Sequence, residues 1–76
     1  MSKSRHAVIL VASSSHAMRA EHVLHNSGIE TKLIPVPRTL SSDCGICVRI
    51  LATDVSNAAA VLGKNRVPYK EIVPIM

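Results

Sequence analysis

The chain opens its patterned region with an uninterrupted apolar run. Every position from Ala7 to Ala12 is apolar, the pattern of a strand that is covered on both sides or central in its sheet. Ser13, Ser14 and Ser15 follow as a cluster of helix-capping residues. From His16 to Asn26 the spacing turns helical, with Ala17, Ala20 and Leu24 on one stripe and Val23 beside it. Asn26-Ser27-Gly28 ends that helix: Gly28 suits the left-handed position after the cap, and Ile29 supplies the apolar contact that accompanies it. Thr31 to Val36 reads as a second strand, and Ile46 to Leu51 as a third, β-branched and free of proline. Thr53 is expected to cap a second helix with Asp54 in its first turn, Val55, Ala58, Ala59 and Leu62 as its buried stripe, and Gly63 at its close. Pro68 to Ile75 is the fourth strand.

The order strand, helix, strand, strand, helix, strand is that of the split βαβ, or ferredoxin-like, arrangement. It predicts an α+β fold, residues 1–76 as one domain, with both helices on one face of a four-stranded antiparallel sheet ordered 4-1-3-2. Pro35, Pro37, Pro74 and the charges Lys32, Lys70 and Glu71 mark strands two and four as edges, which is where that order puts them. The opposite face carries apolar positions of strands one and three with no helix to cover them. It is therefore expected to be open, and a homodimer or a partner protein is expected on it.

Seventy-six residues bury only roughly 60% of the surface of the unfolded chain, so the core is thin. Nothing approaches the length of a membrane span. The apolar run after the basic start is too short for a signal h-region, so a soluble, cytoplasmic protein is expected. The formal charge of +4 raises the question of nucleic acid. The nine lysines and arginines are scattered singly, however, and Tyr69 is the only aromatic, so a single strand finds almost no stacking platform. A small anion or an acidic partner protein suits the charge as well.

Candidate chemistry concentrates between the second and third strands, where Cys44 and Cys47 form a Cys-x-x-Cys pair. Two cysteines this close cannot staple distant elements, so the pair points to redox, metal-binding or sulfur chemistry in a reducing compartment. In the expected fold, the loops after strand one, strand two and helix two share one end. Cys44 then falls near the N-terminus of helix one, whose free N–H groups and partial positive charge bind anions and lower a thiol's pKa. Ser14 and Ser15 belong to that terminus. Arg38 on the cysteine loop, Lys64 and Arg66 on the third connection, and His16 in the first helical turn would add cationic or hydrogen-bonding groups. Each has a plainer reading: Cys47 as a small buried hydrophobe, Ser41 and Ser42 as turn residues, Lys64 and Arg66 as charges at a helix C-terminus, and His16 as an exposed helix-start residue. His22 and His25 lie toward the other end with His6 and read as solvent-facing. A closed zinc site would have to span both ends, and no metal is expected.

Ala17, Ala20-Glu21, Leu24 and Gly28-Ile29, then Ile34-Pro35-Val36-Pro37-Arg38 and Leu40-Ser41-Ser42-x-Cys44-Gly45, together resemble the selenium/sulfur carrier-like proteins, short bacterial domains. The resemblance runs over nearly the whole chain, and its most specific part is Pro-Val-Pro-Arg followed by Ser-Ser-x-Cys-Gly. It implies a cysteine, here Cys44, that carries sulfur or selenium as a persulfide or selenosulfide between a donor and an acceptor protein. It also implies a motif around it in Arg38, Ser41, Ser42 and Gly45. A carrier more than an enzyme is implied, without cofactor. Cys47 is an addition to the motif; it would resolve a Cys44 persulfide into a disulfide, or serve only packing. Two other classes compete: a small interaction or regulatory domain with incidental cysteines, and a copper-binding or dithiol redox module through the pair.

Overall fold

The computed structural model describes residues 5–40 and 45–75. Its elements run β1 (His6–Leu10), α1 (Ser14–Asn26), β2 (Thr31–Pro35), β3 (Ile46–Leu51), a 3-10 turn (Ala52–Asp54), α2 (Val55–Lys64) and β4 (Glu71–Ile75). The four strands form one antiparallel sheet in the order β2-β3-β1-β4. This is the expected α+β arrangement, with β1 and β3 central and the prolines on the edges. No helix among the described residues is long and apolar enough to cross a membrane.

Register assigns each residue to a face, because directly paired residues point the same way and neighbours along a strand alternate. Ala7 and Ile9 of β1 and Val48 and Ile50 of β3 meet Ala17, Ala20 and Leu24 of α1 and Ala58 and Leu62 of α2 in the main core. Alanine at Ala17, Ala20 and Ala58 brings the helix backbones close to the sheet. Leucine at Leu24 and Leu62 fills the volume between them, each fully buried and contributing roughly 1.5–3 kcal/mol by removal from water.

Both helices stop in the same way. After α1, the Gly28 N–H donates to His25 O and the Ile29 N–H to Leu24 O, both at 3.0 Å. After α2, the Arg66 N–H donates to Gly63 O at 3.1 Å and the Val67 N–H to Leu62 O at 2.9 Å. These are two Schellman motifs, each closed by an apolar pair, Leu24 with Ile29 and Leu62 with Val67, all four in the main core. Gly28 takes the left-handed position with φ +84°, as the sequence predicts; after α2 that position is held by Arg66 with φ +56°. Gly63 does not close the second helix but lies within its last turn. Thr53 does not cap it either: it sits in the 3-10 turn, and Asp54 precedes α2 without a side-chain cap bond.

The expectation of an open second face needs correction. Val8, Leu10 and Cys47 form a second apolar cluster there, joined by Ile34, Val36, Leu40, Val73 and Ile75. Val8 and Cys47 have no solvent exposure. Val36 and Leu40 belong to the connection after β2, so that connection folds over part of the face. Its polar composition concealed the two apolar side chains that make the fold-back favourable.

Candidate functional site

The end of the sheet where β1 finishes and β3 and β4 begin gathers most of the candidate residues. Ser13 is the N-cap of α1, with extended backbone and its Oγ accepting from the His16 N–H at 3.3 Å. Its hydroxyl also lies 3.0 Å from that of Ser15. Ser14 and Ser15 are exposed first-turn residues, so the hydroxyl that caps the helix is that of Ser13. The backbone N–H groups of such a first turn have no partner inside the helix.

The connection after β2 is organised before it reaches the cysteine motif. The Val36 N–H donates to Gly45 O at 3.0 Å, extending the β2–β3 pairing by one step, and the Leu40 N–H closes a turn onto Pro37 O at 2.9 Å. Arg38 is exposed within that turn, while Leu40 anchors the turn in the second cluster. Gly45 opens the approach to β3 with φ +78°, a conformation that disfavours any side chain, and a Cβ there would meet nothing within 4 Å. Ser41, Ser42 and Cys44 lie outside the described residues.

Cys47 is in a different setting from the rest. It sits on β3 opposite both Leu10 and Ile34, fully buried. Its Sγ is 4.0 Å from Pro35 O, a long contact for a weak donor. In this geometry Cys47 packs with Val8 and Leu10 in the second cluster. Among the described residues no group of three His, Cys, Asp or Glu side chains stands where it would hold a metal ion.

Near the same end the structure adds a half-open cleft of about 110 Å³ lined by Ala12, His16, Pro68, Tyr69 and Lys70. The sequence reading did not place Tyr69 or Lys70 there. The signal was the lone aromatic set between Pro68 and a strand whose first residue, Glu71, pairs with the last of β1. His16 is half-buried, and its Nδ1 is buried without a partner. Lys64, the last residue of α2, and Arg66 just after it are exposed, and Arg19 of α1 reaches Asn65 O between them at 3.5 Å. His22 stays on its own helix, with Nε2 3.1 Å from the Asn26 side-chain nitrogen.

A family model described as "Putative Se/S carrier protein-like" matches residues 6–74. The chain belongs to that family. The match runs from the start of β1 into β4, and both Cys44 and Cys47 fall within it. No curated protein and no solved structure matches the chain, so this family membership stands without a named relative. Within the Se/S carrier-like domain, the described frame comprises a capped helix N-terminus, an Arg38-bearing turn and a left-handed Gly45.

Proposed function

We propose that the protein carries sulfane sulfur or selenium on Cys44 and passes it between partner proteins. The observation that carries this reading is the family match across residues 6–74, which includes the Cys44-Gly45 motif. The cargo is a substrate, and no resident cofactor takes part. In the loading step the Cys44 thiolate attacks the outer sulfur of a donor persulfide. The new S–S bond forms as the donor's own S–S bond breaks, and the donor cysteine leaves as its thiolate. Unloading is the same exchange with the acceptor's thiolate as nucleophile.

The surrounding frame supports the reading. Gly45 adds no side chain that would obstruct a partner's approach. Arg38, Ser41 and Ser42 of the motif, and Ser14 and Ser15 in the first turn of α1, are the residue types that would donate to an anionic sulfur. Discharge by an acceptor thiolate needs no second cysteine, and Cys47, buried in the second cluster, is not required for it.

Intact mass spectrometry under non-reducing conditions, before and after a sulfane-sulfur donor, tests this. Wild type and Cys47→Ala should each gain one sulfur that a reductant removes, and Cys44→Ala should gain none. Adducts absent from every form, or retained in Cys44→Ala, would overturn the carrier reading.

A further inference from the structure

The helix-free face of the sheet carries a cation pair that the fold itself does not use. Lys32 of β2 is directly opposite Arg49 of β3, and Arg49 is in turn directly opposite Val8 of β1. The row continues to Val73 of β4. Two like charges side by side across a strand pair are unfavourable in isolation. Among the described residues neither side chain has an ion-pair or hydrogen-bond partner. Lys32 is exposed and Arg49 half-buried. The strand acid that shares their face, Glu71, is paired with Leu10 on the far side of β1, two strand spacings from β3 and so about 10 Å away laterally; exposed Glu30, two residues before Lys32, forms no ion pair with either cation among the described residues. Beside the cations, the half-buried Leu51 and Ile75 flank His6 in the next row.

We infer that this half of the sheet face, centred on Lys32 and Arg49, is a docking surface for a protein segment that combines carboxylates with apolar side chains. Carboxylates would relieve the repulsion between Lys32 and Arg49, and apolar groups would cover Leu51 and Ile75. A second copy of the chain is disfavoured as the occupant: a two-fold contact centred on this patch would bring two like-charged patches together. Nucleic acid is disfavoured as well, since Tyr69 is the only aromatic in the chain and it lines the cleft beside His16, leaving this face no stacking platform. The connection that carries Cys44 covers the other half of the face through Val36 and Leu40, so a segment docked here lies next to that connection. The inference does not depend on sulfur chemistry.

The test is a titration of the ¹⁵N-labelled full chain, followed by NMR, with a short peptide mixing glutamate and leucine. Three controls run beside it: the same peptide with lysine for glutamate, a leucine-free glutamate peptide, and a single-stranded oligonucleotide. Shifts confined to β2, β3 and the lower half of β1, weakened by salt and absent with the lysine peptide, are expected. Lys32→Glu should weaken binding about tenfold, and Lys32→Glu with Arg49→Gln should abolish it, while the spectrum of each free variant stays dispersed. If the double variant fails to fold, exposed Lys32→Glu and the salt dependence of wild type decide. Shifts on the helix face, unchanged affinity in Lys32→Glu, tighter binding of the oligonucleotide, or self-association through this face would each overturn the inference. Equal binding of the leucine-free peptide would overturn its apolar half.

Discussion

The two faces of the sheet are built from the same four strands but covered in different ways. One face is closed by two amphipathic helices whose alanines and leucines interlock with Ile9, Val48 and Ile50. The other is closed over part of its area by one turn of a connection, through Val36 and Leu40, and elsewhere presents Lys32 and Arg49 to solvent. A helix fixes many side chains at once through its own hydrogen bonds, so the first cover is cooperative. Among the described residues the second rests on Val36 and Leu40, one bond from Val36 to Gly45 and one turn from Leu40 to Pro37. Local opening free energies should differ accordingly, with the connection near the low end and the helices near global stability. Hydrogen exchange at the Leu40 N–H against the Leu24 N–H measures that difference directly.

The largest expected break of the comparison is Leu24→Ala, which removes a fully buried side chain from the helix-covered core. It should cost about 3 kcal/mol in chemical denaturation, a large share of the stability of so small a domain. On the other face, Cys47→Ser sets a hydroxyl among Val8, Leu10 and Ile34 and should cost about 2 kcal/mol; Cys47→Ala should cost less. Leu40→Ala should cost about 1 kcal/mol, since Leu40 is only half-buried. That substitution should also speed alkylation of Cys47 by iodoacetamide, while leaving exchange in α1 unchanged. If Leu40→Ala cost as much as Leu24→Ala, the two covers would be equivalent and the comparison would fail. The smallest change lies off both faces. Arg66→Gly relieves the left-handed strain after α2 and should stabilise by about 0.5–1 kcal/mol.

The element order and the sheet order were legible because three independent signals agreed. The unbroken apolar run at Ala7–Ala12 marked a central strand, the alanine-leucine stripes marked two helices, and Pro35 and Pro74 marked edges. Gly28 was placed correctly because glycine is the usual bearer of a left-handed cap. The same reasoning misplaced the end of α2, where Arg66 takes that conformation and Gly63 is simply helical. The folding-back was hidden because Val36 reads as the end of the second strand and Leu40 lies in a stretch rich in proline, arginine and serine that reads as a solvated loop. For the site, the sequence supplied the motif around Cys44 and the serine cluster before α1. It could not tell that Cys47 packs in a second cluster on the helix-free face, because the period-2 alternation of a strand fixes a face only once its register is known. The cleft beside His16 is assembled from two distant connections, and no local pattern announces such a meeting.

The pairing of β1 with both β3 and β4 has a consequence for synthesis. The strand made first has neighbours made much later, and its five apolar side chains from Ala7 to Val11 have no sheet to join until β3 follows. Its outer hydrogen-bonding edge stays unpaired until Ile75 has been added. At roughly 5–20 residues per second that is a wait of several seconds, during which the most aggregation-prone segment of the chain is exposed to other nascent chains and to chaperones. Slowing translation between β3 and β4 should therefore lower the soluble yield, even though the finished fold is the same.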